Sequence, residues 1–379
     1  MIFVKFLTIG SWALRCKTQE GEIGGGDLII QRRELLRAAA GGLALSLVTG
    51  WRAHAQNVGG GKWTQVKPIP VGANEVIGAN VNGRFIAYGG LSNFIAQGLF
   101  FSYDVDKDEW MTLPVPPEPV HHGACIGYQD KFFVFGGFRK PDDGSRVWMP
   151  VNTTWMFDFA NMKWDKRAPM PSSRGALAAV VAGTKAYVIG GSAMPSWERT
   201  IKGFTPAFGG EQSTANEVYD VVEDKWRRAN PMLTGRNHHA IGLINDKIYV
   251  VGGRVGSAFV GGSTNISANE EYDFAKDTWR PRWLMPTPRS GCVGAVLNNK
   301  LHVIGGEYIQ GGSMGVFRAH EVYDPVSNSW ALAPNMLTAR HAFAIATING
   351  KIYTATGMTA PGTGGGPATG AAVTEVFSW

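Results

Sequence analysis

Four arginines, Arg174, Arg236, Arg289 and Arg340, recur in register along the chain. Each stands sixteen residues ahead of a glycine doublet, or of its remnant at Thr356-Gly357. Polar side chains crowd the same places. Asn237, His238 and His239 follow Arg236, His341 follows Arg340, and His121 and His122 follow Val120, which occupies the arginine's position in an earlier unit; in the first unit that position is Ala73. Guanidinium groups grip carboxylates through paired hydrogen bonds, and several converging on one mouth concentrate positive potential. Imidazoles exchange protons near neutral pH and ligate metals. The pattern therefore reads as an anion site built from Arg174, Arg236, Arg289, Arg340, His121, Asn237, His238 and Glu307, with Glu198 and Glu211 as further loop carboxylates. A plainer reading stands beside it, in which each arginine bonds to neighbouring loop carbonyls. No residue is singled out as catalytic.

What positions these residues is a repeat. Apolar, β-branched runs end in glycine at "RFIAYGG" (84–90), "KFFVFGG" (131–137), "KAYVIGG" (185–191), "KIYVVGG" (247–253), "KLHVIGG" (300–306) and, with only the second glycine kept, "KIYTATG" (351–357). Downstream come "YDVDKDEW", "FDFANMKW", "YDVVEDKW", "YDFAKDTW" and "YDPVSNSW", and the chain ends on "EVFSW". Before each glycine-ending run lies a second apolar run, separated by two turn-forming residues: Asn82-Gly83, Gln129-Asp130, Gly183-Thr184, Asn245-Asp246, Asn298-Asn299 and Asn349-Gly350. Residues that tolerate positive φ between two apolar runs mark β-hairpins. The recurring Tyr, Phe and Trp residues read as wedges between repeats.

The repeat resembles the kelch motif over nearly all of residues 62–379, and this resemblance implies four-stranded propeller blades. The expected fold is all-β, a six-bladed kelch β-propeller. Its last blade stops at a third strand, and "KWTQVKPIP" at 62–70 has the character of the missing fourth, so the N-terminal strand is expected to close the ring. With strands a to d running from inside to outside, the d–a and b–c connections share one face. The a–b turns are too short to build a pocket, so ligand binding is expected on the d–a/b–c face. Cys125 and Cys292 fall on strands a of opposite blades, too far apart for a disulfide, and are expected as two free, buried thiols.

Residues 1–55 read as a signal peptide. Arg32-Arg33 precedes the apolar run from Ala38 to Val48, and Ala53-His54-Ala55 offers a small-x-small cleavage site near Ala55. The arginine pair resembles a twin-arginine signal, which implies a bacterial protein exported folded to the periplasm or beyond. The propeller is assigned to 56–379. Removing the leader's seven basic and four acidic residues from 36 and 30 leaves 29 and 26, a charge of +3 that argues against a nucleic-acid partner. No later stretch has the length and apolarity of a membrane-spanning helix.

Three function classes follow. The first is a binding module for an acidic sugar, a carboxylated small molecule or an acidic protein segment. The second rests on architecture: the layout is similar to that of periplasmic N-acetylneuraminate epimerases (mutarotases), implying an acid/base pair and a carboxylate clamp. The third is a copper oxidase resembling galactose oxidase, with His122, His238 and His341 as candidate ligands converging near the axis. Binding is the leading expectation, epimerisation the runner-up and copper the lesser alternative. No cofactor is expected.

Overall fold

Pairs of apolar runs split by a two-residue turn fold as antiparallel hairpins, and here each hairpin forms the inner half of a blade. The computed structural model describes residues 56–57, 60–92, 95–139, 148–193, 211–212, 214–258, 262–310, 313–362 and 370–379. The leader read at 1–55 and the carboxylate Glu198 lie outside these residues. Strands a to d are Asn74–Val81, Arg84–Ser92, Ile95–Asp104 and Glu109–Thr112 in blade 1, and Ala124–Tyr128, Lys131–Phe135, Thr154–Asp158 and Lys163–Arg167 in blade 2. Blade 3 has Ala178–Ala182, Lys185–Ile189, Asn216–Asp220 and Lys225–Ala229; blade 4 has Ala240–Ile244, Lys247–Val251, Asn269–Asp273 and Thr278–Pro281. Blade 5 has Val293–Leu297, Lys300–Ile304, His320–Asp324 and Ser329–Leu332. Blade 6 takes strands a to c from Ala344–Ile348, Lys351–Ala355 and Thr374–Ser378, and strand d from Lys62–Gln65. The fold is the expected all-β, six-bladed propeller.

Closure is direct. Lys62, Trp63, Thr64 and Gln65 pair antiparallel with Ser378, Phe377, Val376 and Glu375. Strand a of blade 1 packs against those of blades 2 and 6, and the remaining inner strands continue the circle. Six apolar clusters occupy the six gaps between blades; that between blades 6 and 1, for example, joins Phe85 and Tyr103 to Ala346 and Tyr353.

The recurring tryptophans lock the same gaps. Each outer-strand indole donates to a carbonyl in the connection leading into its blade: Trp110 to Lys67, Trp164 to Pro114, Trp226 to Ala168, Trp279 to Asn230 and Trp330 to Trp283. Trp63, on the closing strand, donates to Pro334 at 2.9 Å and completes the set of six. Beside it lies a buried histidine pair, His302 Nδ1 and His320 Nε2 being 2.8 Å apart, walled by Trp63, Phe377 and Trp379. Burial pushes His302 down to about 4 and holds His320 well below the usual imidazole range, with Lys300 and Arg289 as nearby cations.

The glycine doublets are required where strand b bends at the loop face. Both positions take positive φ, and a Cβ on Gly137 would sit 2.9 Å from the His121 carbonyl oxygen. Past the bend, the residue after each doublet pairs with the residue after the arginine position, as in the bridges His121–Phe138, Asn237–Arg254, Ser290–Glu307 and His341–Met358.

Two outcomes follow. Trp63→Ala removes the sixth clamp and its apolar contact, and is expected to cost about 3–5 kcal/mol in urea unfolding. The His302–His320 pair is neutral when folded and binds protons below about 6.5 when unfolded, so its stabilisation is present above that pH and is lost as pH falls toward 4. His302→Leu should flatten the fall in melting temperature between pH 6.5 and 4; an unchanged slope would show that other groups set the acid response.

Candidate functional site

The four arginines do not form a cationic mouth. All are fully buried, and each is tied to a glutamate on strand c of its own blade. Arg174 Nη2 lies 2.7 Å from Glu217, Arg289 Nη1 2.5 Å from Glu321 and Arg340 Nη2 3.2 Å from Glu375, and Arg236 pairs with Glu270 in the same way. Each also donates to the carbonyl at the first doublet position: Gly190, Gly252, Gly305 or Thr356. They are straps holding the start of strand a to strands b and c, and the plainer of the two sequence readings describes them. The exchange in blades 1 and 2 agrees. Where arginine becomes Ala73 or Val120, the position of the strand-c glutamate becomes Phe101 or Trp155, buried in the same apolar cluster as its partner. Arg289→Ala should therefore cost about 3–5 kcal/mol in urea unfolding, because it strands a buried Glu321. An Arg289→Val/Glu321→Trp double variant, copying blade 2, should recover most of that loss.

Polar groups instead gather at the axis. Two positions beyond the arginine place stand Glu75, His122, Ala176, His238, Gly291 and Ala342, all with φ between +54° and +61°. Backbone bonds link them around the ring: Ala176 N to His122 O, His238 N to Ala176 O, Gly291 N to His238 O, Ala342 N to Gly291 O, and Val76 N to Ala342 O. Left-handed φ costs a non-glycine residue about 1–3 kcal/mol. Here even the alanines adopt it, so the strain belongs to the convergence of six strands rather than to any one side chain.

On this belt His122 Nε2 lies 3.1 Å from Glu75 Oε1, and the His122 and His238 rings are 5.0 Å apart. His122 Nδ1 meets His121 Nδ1 at 2.5 Å, and His238 Nδ1 lies 2.6 Å from Asn237 Oδ1. Just beyond the belt, Arg254 donates through Nη1 to Glu307 at 2.6 Å and Ser290 at 3.2 Å, and through Nη2 to His238 Nε2 at 2.9 Å and to the Ala258 carbonyl. The other Glu307 oxygen accepts from the Gly362 amide at 2.6 Å and lies 3.4 Å from His341 Nε2.

Burial pushes the Glu75 carboxyl up to about 7; Glu307 adds to the rise, while His341 and Arg254 oppose it. Burial would also raise Glu307, but His341, Arg254 and the Gly362 amide hold it below the usual range. Burial, aided by Arg254, keeps His122 and His238 neutral. Among the described residues, four buried nitrogens here have no hydrogen-bond partner: His121 Nε2, His122 Nε2, His341 Nδ1 and Arg254 Nε.

A cavity of about 580 Å³ runs along the axis from Glu75, His122 and His238 to Asn80, Val181, Leu243 and Thr347 beside the a–b turns. Its wall between these ends is apolar, Phe343 included, except for Cys125, Cys292 and His239. Both thiols are free, as expected, but only Cys292 is fully buried; Cys125 reaches the channel. On the loop side, among the described residues, Leu91, Phe138, Trp148 and Ala258 pack over the belt, with Trp148 4.7 Å from the His122 ring. The polar centre lies at the d–a/b–c end of the ring, beneath b–c residues and continuous with the axial channel, rather than at a cationic mouth.

Of the residues chosen from sequence, His121, His122, Asn237, His238, Glu307 and His341 are brought together, and the four arginines are not. Glu211 begins a short strand in a b–c loop. Glu75 and Arg254 were missed. Both were legible by register: Glu75 aligns with His122 and His238, and Arg254 with Glu307 as the residue after a doublet.

The family is now defined. A model of the KLHDC2/KLHL20/DRC7 kelch-repeats domain matches residues 54–253, and a kelch motif matches 235–282. This chain belongs to the kelch-repeat family. It is similar to Kelch-like protein terF of Aspergillus terreus, at 22% identity over 83% of this chain and 67% of that protein. Kelch-like protein 23 of Homo sapiens is 25% identical over 61% of this chain, and beta-scruin of Limulus polyphemus 20% identical over 78%. The chain spans only 35% and 32% of those two proteins. Among solved structures, that of YjhT superposes with a TM-score of 0.67 at 18% identity, covering 79% of this chain and 94% of its own.

Proposed function

We propose that this propeller binds a small, oxygen-rich anionic ligand, of which a sugar acid is the type, at the inner end of its axial channel. The observation that carries this reading is the group of buried nitrogens on Arg254, His121, His122 and His341 that have no hydrogen-bond partner among the described residues. Buried polar groups in folded proteins are generally satisfied, and His122, which lines the cavity, joins this group to space a ligand can enter. The carboxylate of a sugar acid supplies an acceptor for Arg254 Nε, and its hydroxyls can donate to or accept from the imidazole nitrogens. Glu307 and His341, 3.4 Å apart, add a carboxylate and an imidazole suited to acid–base work, which supports an epimerase or mutarotase as the catalytic form of the reading. Folded export through Arg32-Arg33 would bring the protein to such ligands outside the cytoplasm.

A second reading, a disc for protein partners, is favoured by the exposure of Leu233, Trp283, Leu284 and Leu337 on the d–a connections of the last three blades.

Calorimetric titration with N-acetylneuraminate, galacturonate and their neutral sugars separates the two. The ligand reading expects saturable binding of an acidic sugar, weakened at least tenfold by Arg254→Lys, which keeps the charge opposite Glu307 but loses the guanidinium fork. Absence of binding to every sugar, or binding indifferent to Arg254→Lys, would leave the protein-partner reading in possession.

A further inference from the structure

We propose that Glu75, His122 and His238 together hold one divalent first-row cation, with Zn²⁺ as its type, at the point where the axial channel meets the belt. The assignment depends on the location of the ligand site above, not on the identity of its ligand.

One donor atom from each of the three residues lies within 4.8 Å of the other two, and all three side chains are buried. Donors around a tetrahedral zinc ion, each about 2.0–2.1 Å from the metal, stand about 3.3 Å apart. The His122 Nε2 to Glu75 Oε1 separation of 3.1 Å already has this value. Among the described residues His122 Nε2 has no hydrogen-bond partner although its side chain is only 1% exposed, so it is free to ligate.

The surrounding groups set the imidazoles for coordination. Asn237 Oδ1 accepts from His238 Nδ1, so the lone pair of His238 is on Nε2, facing the centre. His121 Nδ1 offers the same service to His122 Nδ1. Outer partners of this kind fix the tautomer and direction of ligating histidines. Two imidazoles and a carboxylate suit a borderline ion such as Zn²⁺ rather than Ca²⁺ or Mg²⁺, which prefer oxygen throughout.

Arg254 is the competing group, since its Nη2 donates to His238 Nε2. Metal binding requires it to give up that single contact. Its other partners, Glu307, Ser290 and the Ala258 carbonyl, keep it in place and neutralised. With three protein donors, the channel side of the ion remains open to water or to a ligand carboxylate.

The test is equilibrium dialysis of the chelator-treated protein against ZnCl₂ with elemental analysis, together with Co²⁺ absorption spectra. The expected result is one Zn²⁺ per chain, a visible Co²⁺ band of tetrahedral N/O type, and affinity at least a hundredfold lower in His122→Gln and His238→Gln. Glu75→Gln should also weaken binding, and His302→Gln, at the ring closure, should not. Circular dichroism and melting confirm that each variant folds. No stoichiometric uptake by wild type, or uptake unchanged in a folded His122→Gln/His238→Gln double variant, overturns the assignment. Sugar-acid binding without metal would sink the metal reading alone, and metal without sugar-acid binding would sink the ligand reading alone.

Discussion

Six inner strands meeting around one axis impose the constraint on which the rest of this structure depends. Where they arrive, backbone approaches backbone with almost no room for side chains. The chain answers with positive φ at six equivalent positions, a belt of inter-blade amide bonds, and glycine doublets where strand b turns away. The buried Arg–Glu straps act at the same level, tying the start of strand a to strands b and c of the same blade. Such pairs stabilise little in themselves but are costly to break, and blades 1 and 2 manage with apolar pairs instead. They specify how a blade is held rather than how a ligand is bound.

The same convergence makes a site where the repeat departs from its own pattern. Each belt position aims a residue at the axis, and three of the six are Ala or Gly. The other three are Glu75, His122 and His238. One step further, the residue after the doublet is Leu91, Phe138, Ser192 or Met358 in four blades, but Arg254 and Glu307 in the other two. No single blade carries the centre. It draws on blades 1, 2, 4, 5 and 6, so it exists only when the ring is closed, and closure rests on Lys62–Gln65 and the Trp63 clamp. Ring stability and site integrity are therefore one property in this protein, and the acid-sensitive His302–His320 pair sits at that closure.

The fold could be read from the sequence because the repeat is written six times in local signals. A turn pair, an apolar run, a doublet and a tryptophan each report on a few neighbouring residues, and their shared spacing reports on the blade. Even the closing strand was legible, as a fourth-strand segment without a blade of its own. The candidate site was legible only in part. His121, His122, Asn237, His238, Glu307 and His341 stood out as chemically capable residues at recurring positions, yet so did four arginines whose partners lie on strand c, 32 to 43 residues away. Glu75 and Arg254 passed unnoticed because each is a single departure in one copy of the repeat.

Length, periodicity and turn chemistry thus determined the propeller and its blade number, because these follow from signals repeated about every fifty residues, and the unpaired fourth-strand segment at 62–70 marked the manner of closure although its partners lie at the far end of the chain. Only the tertiary structure decided which charged side chains are consumed by their own blade and which remain unsatisfied at the axis. That distinction depends on burial and on distances between blades that no local pattern encodes. An arginine opposite a strand-c glutamate is spent, whereas Arg254, placed after a doublet where five blades contribute, reaches His238 beside the channel and keeps its Nε without a partner among the described residues.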